Sequence, residues 1–171
     1  FSLSEKQNEA FIAIKESFEK YPVTLFHGIT SSGKTEIYIR LIEQFIAAGR
    51  QVLYLLPEIA LTTQIVMRLK KIFGEQVGIY HSKFSDNERV EVWKSIVEGK
   101  YPFVVGVRSS VFLPFKNLGL IIIDEEHDLS LKQQDGFRYH ARDLAIKRAA
   151  LEICPILLGS ATPSLESLYN C

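Results

Sequence analysis

The 171-residue chain is 47% hydrophobic, enough for one globular domain with a sizeable core, and its 20 basic and 20 acidic residues cancel to zero formal charge. That balance excludes the strongly basic footprint of many nucleic-acid binders, and apolar runs such as Leu120 to Ile123 fall far short of the ~20 residues that span a bilayer. Cys154 and Cys171 lack Cys-x-x-Cys spacing and stand beside only four histidines, which argues against zinc and for a reducing compartment, the cytoplasm by default.

In chain order, the opening FSLSEKQ has no initiator Met, basic leader or cleavage site, so the chain reads as an excised piece of a longer polypeptide. Ser4 and Gln7 stand in capping-box spacing. Apolar, β-rich runs follow at Val23 to Phe26, Gln51 to Leu56, Gln76 to Tyr80, Phe103 to Val107, Leu120 to Asp124 and Pro155 to Gly159. Between them, Ile37, Leu41, Phe45 and Ala48 keep one helical face with Gly49 as a stop, and Leu61, Ile65, Leu69 and Ile72 repeat the spacing. A further helix near Asp86 to Glu98 starts on the capping box of Ser85 and Glu88 and ends at Gly99. Continuously apolar strands alternating with amphipathic helices predict an α/β domain, a mostly parallel sheet with helices on both faces. No repeat or linker divides residues 1–171, so a single domain is expected.

Residues 28–35, GITSSGKT, fit G-x-x-x-x-G-K-[ST] after a strand and at the opening of a helix. Gly28 and Gly33 let the backbone curl so that the N–H groups of Thr30, Ser31 and Ser32 point inward, where the helix N-terminus adds positive potential for phosphate. Lys34 would reach the outer phosphates and Thr35 would ligate Mg²⁺. An acidic residue at the end of a buried strand should complete the site, and LIIIDEEHD supplies Asp124 for the metal and Glu125 to polarise the attacking water. His127 by itself reads as a loop histidine.

Together GITSSGKTE, LLPEIALTTQ, GVRSSVF, IIIDEEHDLSLKQQDGFRYHARDLA and LLGSATPSLES resemble the first motor domain of superfamily 2 DExH helicases, and among them the replication-restart helicases. The resemblance implies a RecA-like P-loop NTPase domain that forms half of an ATP site, the other half lying on a second RecA-like domain. It gives Glu36 a place in the nucleotide site, His127 a part in coupling hydrolysis to movement, and Gln7 the reading of adenine through its amide. It assigns DNA phosphate contacts to Pro57, Glu58 and Thr62 and to Arg108 and Ser109, though helix caps and a surface Arg explain the same residues. Lys132, Arg138, Tyr139, His140 and Arg142 fall in a loop similar to the aromatic-rich loop that senses DNA, and an ordinary surface loop is the alternative. Gly159, Ser160, Ala161 and Thr162 resemble the motif linking the ATP site to strand separation, and Thr162 with Pro163 equally starts a helix.

Three positions depart from the family pattern: Ser31 where Gly is usual, Leu131 where Tyr is usual, and Val107 where Thr is usual. The resemblance further implies 3′ to 5′ unwinding at stalled forks, with single-stranded and forked DNA, single-stranded DNA-binding protein and primosome or helicase-loader proteins as partners. A small-molecule P-loop kinase would need an arginine-rich lid that the sequence does not show. A binding-only nucleotide module would have no use for Glu125.

Overall fold

In the computed structural model, which describes residues 2–28, 33–128, 131–134 and 138–161, each of the six apolar runs forms a strand. These are β1 (Val23–His27), β2 (Gln51–Leu55), β3 (Val77–Tyr80), β4 (Phe103–Gly106), β5 (Leu118–Ile123) and, after a short ribbon of β6 (Lys132–Gln133) with β7 (Tyr139–His140), β8 (Ile156–Ser160). The six long strands pair in parallel in the order β1-β8-β5-β2-β4-β3, and β6 pairs antiparallel with β7. The helices are α1 (Glu5–Lys20), α2 (Lys34–Ala47), α3 (Thr63–Phe73), α4 (Asp86–Val97) and α5 (Ala141–Glu152).

Every residue of β2, β4 and β5 is buried, because successive side chains feed opposite layers. Val52, Tyr54, Leu120 and Ile122 pack with Ile14, Ile37, Leu41 and Leu69 from the first three helices. Leu53, Leu55, Ile121 and Ile123 pack on the other side with Val92, Ile96, Ala145 and Ala149 from α4 and α5. This is the three-layer arrangement expected from alternating strands and helices.

Local signals act where they were expected. Ser4 and Gln7 close the capping box of α1, and Ser85 with Glu88 closes that of α4, each satisfying backbone donors that a helix start leaves open. Two features go beyond the expectation. The segment read as a loop between Lys132 and Arg142 contains the β6–β7 ribbon, and α5 follows it directly. Helix α5 turns Ala141, Ala145 and Ala149 to the sheet, a stripe of small residues that leaves no pattern of large apolar side chains to read.

Candidate active site and nucleic-acid interface

The carboxyl ends of β1, β8, β5 and β2 lie side by side, and backbone hydrogen bonds tie them together. Gly28 N–H donates to Ser160 O (3.1 Å), Asp124 N–H to Leu55 O (3.0 Å) and Glu126 N–H to Gly159 O (3.1 Å). Residues leaving these ends therefore converge on one place, as ligand sites of open parallel sheets do.

Of the phosphate-loop residues, Thr30, Ser31 and Ser32 lie outside the described residues. Gly33 is the N-cap of α2 at φ 76, a left-handed conformation that favours glycine, and a Cβ there would stand 2.1 Å from Gln7 Nε2 and displace the Gln7 amide. Gln7 Nε2 donates to Gly33 O (3.2 Å) and its Oε1 accepts Ser4 N–H (2.8 Å), so the start of α1 is pinned to the loop. Lys34, 7% exposed, donates from Nζ to Gly28 O (3.0 Å) and lies 3.8 Å from Glu125 Oε1. Thr35 is half-buried on the first turn of α2. Glu36 pairs with Arg68 of α3 at 2.5 Å; burial works against its carboxylate, but the Arg68 hydrogen bond leaves its pKa below the usual range.

Asp124 emerges at the end of β5, as expected for a metal-holding carboxylate. Burial is the largest influence on it and raises its pKa; the neighbouring Glu125 charge adds to the rise, and Lys34 partly offsets it. Tyr38 Oη donates to Asp124 Oδ1 (3.2 Å), Tyr54 Oη to Oδ2 (3.3 Å), and Glu125 N–H to Oδ1 (3.0 Å). Burial, followed by the Asp124 charge, pushes both tyrosine pKa values well up, so both hydroxyls are proton donors at neutral pH.

Glu125 adopts φ 51, a left-handed conformation uncommon outside glycine. From there its carboxylate faces both Lys34 and His127 Nε2, the latter at 3.6 Å. His127 Nδ1 shares a hydrogen bond with Ser160 Oγ (2.5 Å), so the acidic run is linked through one imidazole to the end of β8. Ser160 is fully buried and Ala161 O meets His27 Nε2 at 2.8 Å, whereas Thr162 lies outside the described residues.

A second group lies along the neighbouring strand ends. Pro57 precedes a 3₁₀ turn at Glu58–Ala60, and Thr62 caps α3, accepting Ile65 N–H at 3.3 Å, so its hydroxyl does have the structural duty weighed above. Glu58, Arg108, Ser109, Gln133 and Tyr139 share the lining of one cavity of about 330 Å³. Lys132, Arg138, Tyr139 and His140 line another of about 540 Å³ on the adjoining ribbon. Arg108 Nη1 reaches Lys132 O at 3.5 Å, and Phe112 stacks edge-on against Tyr139 with ring centroids 5.0 Å apart.

Two members of this set point elsewhere. Arg142 is buried and its Nη1 lies 3.3 Å from Glu126 Oε2, so it faces inward toward the acidic run and not outward with Arg138. Leu131, at the position where the family carries Tyr, is wholly buried in the core beside α5 and offers no stacking surface.

Sequence reasoning gave no role to Tyr38, Tyr54 or Glu126, and took Gly159 only as the first residue of the coupling motif. The signals were there: Tyr38 is one helical turn beyond Lys34, Tyr54 brings a polar tip into an otherwise aliphatic strand, and a glycine inside a strand marks a close approach.

The DEAD/DEAH box helicase model matches residues 4–171. The chain belongs to the DEAD/DEAH box helicase family. It is 50% identical over 167 residues to the replication restart protein PriA of Bacillus subtilis (strain 168), covering 96% of this chain and 21% of that protein. It is also 49% identical over 168 residues to PriA of Rickettsia felis, covering 98% of this chain and 26% of that protein. The chain thus spans about a quarter or less of the curated relatives it matches. Among solved structures, RecG bound to a three-way DNA junction superimposes at TM-score 0.70 with 25% identity, covering 98% of this chain and 22% of that one. The UvsW helicase from bacteriophage T4 gives TM-score 0.61 at 15% identity, covering 93% of this chain and 52% of that one, a likeness of fold.

DEAD/DEAH helicases use ATP and Mg²⁺ in general. Among the described residues no group of three His, Cys, Asp or Glu is gathered around a common metal position, and no helix is long and apolar enough to cross a membrane.

Proposed function

We propose that the chain is the first RecA-like motor domain of a longer ATP-dependent DNA helicase that works in replication restart. The observation that carries the reading is the meeting of Lys34, Asp124 and Glu125 at adjacent strand ends, joined through His127 to Ser160, beside a ribbon bearing Lys132, Arg138, Tyr139 and His140. The replication-restart name of the relatives supports the biological setting, and the junction-bound RecG neighbour supports a branched DNA substrate.

Gly28, Gly33 and the intervening amides would cradle the phosphates of ATP at the start of α2, with Lys34 leaving Gly28 O to meet the outer phosphates. The hydroxyl of Thr35 and the carboxylate of Asp124 are the hard oxygen donors that Mg²⁺ takes, and the metal would supply charge neutralisation on those phosphates. Glu125, whose carboxylate faces Lys34 and His127, would orient a water against the terminal phosphate. Gln7, whose amide is hydrogen-bonded to Gly33 O and Ser4 N–H, would turn from them to meet the base. His127 would pass the state of Glu125 to Ser160 and Ala161, and Arg142 would carry it through Glu126 to the ribbon.

Pro57, Glu58, Thr62, Arg108 and Ser109 would hold one DNA strand by its phosphates, with Tyr139 and His140 as stacking surfaces. A second motor domain on the same polypeptide would complete the ATP site, single-stranded DNA-binding protein and primosome or loader proteins would be partners, and unwinding would run 3′ to 5′ in the cytoplasm.

The test is phosphate release from ATP by the longer parent polypeptide, with and without forked DNA, beside Lys34→Ala. Stimulation by the fork that vanishes in Lys34→Ala is the expected result. Release indifferent to DNA, or none although nucleotide binds, would sink the motor reading, the latter leaving a nucleotide-binding module.

A further inference from the structure

Asp124 receives more protein donors than a metal-holding carboxylate needs. An ionised carboxylate offers about four acceptor positions on its two oxygens. On Oδ1, Tyr38 Oη (3.2 Å) and the Glu125 amide (3.0 Å) occupy two; on Oδ2, Tyr54 Oη (3.3 Å) occupies one. About one position, on Oδ2, is left for a metal or its bound water.

The donors are rigid. Tyr38 is 0% and Tyr54 1% exposed, and their rings pack edge-on with centroids 5.6 Å apart, so neither hydroxyl can swing away without disturbing the core. Gly159 makes room for this: a Cβ there would stand 1.8 Å from Tyr38 Oη and 3.3 Å from Asp124 Oδ1. Three elements, α2, β2 and β8, are thus shaped around one carboxylate.

We propose that Tyr38 and Tyr54 are positioning residues for the metal-binding carboxylate, which confine Asp124 to a single outward acceptor position and so favour Mg²⁺ over Ca²⁺. The argument rests on the nucleotide reading given above. Mg²⁺ demands near-octahedral geometry, keeps several waters and is satisfied by one oxygen from a carboxylate, directly or through water. Ca²⁺ takes six to eight ligands at longer distances and gains from bidentate carboxylates. A carboxylate with both oxygens tied by buried hydroxyls cannot turn to present a bidentate edge. With the hydroxyls removed it can.

The experiment uses the 171-residue chain with a non-hydrolysable ATP analogue, titrating Mg²⁺ and separately Ca²⁺ by calorimetry, in the wild type, Tyr38→Phe, Tyr54→Phe and the double variant. Thermal unfolding in chelator is the control for fold. The half-saturating Mg²⁺ concentration should rise about tenfold or more in the Phe variants, the usual cost of removing a group that orients a metal ligand. The Ca²⁺ requirement should move much less, so that the preference for Mg²⁺ narrows. Should Tyr38→Phe fail to fold, Tyr54→Phe decides alone, since its hydroxyl is the protein donor on Oδ2. Unchanged Mg²⁺ dependence, or equal weakening of both ions, overturns the inference and leaves the nucleotide reading standing. Analogue binding that ignores both metals overturns this inference and leaves the nucleotide reading standing, whereas a wild-type chain that binds no analogue with either ion overturns both.

Discussion

Asp124 shows what a single residue has to reconcile. Its carboxylate is buried against Glu125 and only partly balanced by Lys34, which raises its pKa. A carboxyl whose folded pKa is raised disfavours the fold once pH exceeds its unfolded value of about 3.9 and is fully ionised. In chelator, Asp124→Asn should therefore raise the melting temperature at neutral pH, with the gain fading below about pH 4. A calorimetric scan at both pH values checks it, and a loss of stability at neutral pH would mean the carboxylate is better balanced than the geometry says. Cys154 gives a cleaner pH prediction. Burial, then the Glu152 charge, pushes its thiol up to about 11. In a Cys171→Ser background it should resist thiol reagents at pH 7.5 and react only on approach to pH 11 or on unfolding, whereas an ordinary thiol reacts near pH 8.5. Of the site residues, Lys34, Asp124 and Glu125 were legible because their types and spacing encode their chemistry. Tyr38 and Tyr54 were not, because a tyrosine reads as a core aromatic until its hydroxyl is seen to meet Asp124.

At the scale of elements, helix ends carry readable energy. Ser85 caps α4 by accepting Glu88 N–H (3.3 Å), and Ser85→Ala should lower stability by about 1 kcal/mol in urea unfolding. Helix α5 ends less well. Ile153, its C-cap, is a β-branched residue at φ 53 and 90% exposed, where glycine is the usual choice. Ile153→Gly should relieve the left-handed strain by more than glycine adds in chain entropy and stabilise by about 0.5–1 kcal/mol, read in the same unfolding assay. The ribbon and α5 are also where expectation and structure part. A pair of two-residue strands is too short to show alternation, and a helix packed through alanines has no large side chains to mark its period.

For the whole molecule, the buried pair of Glu126 and Arg142 joins the acidic run after β5 to the first turn of α5. Arg142→Ala would leave a carboxylate with 0% exposure short of its compensating charge and should cost about 3–5 kcal/mol, whereas changing both residues to leucine should recover much of the loss. Equal losses in the single and double variants would show that the pair is not what the core depends on. On the proposed reading of the chain as half of an ATP site, it alone should hydrolyse ATP about 10³–10⁵ times more slowly than the parent polypeptide with DNA, the usual worth of an arginine supplied from another body. Turnover of the isolated chain at the parent's rate would deny any second motor domain. The sequence by itself determined the α/β class and the strands, because hydrophobic period is a local property of the chain. Only the tertiary structure decided that Arg142 turns inward, that Leu131 is core and that two tyrosines close on Asp124. Those outcomes depend on which strand ends become neighbours in the order β1-β8-β5-β2, a long-range pairing that no local pattern carries.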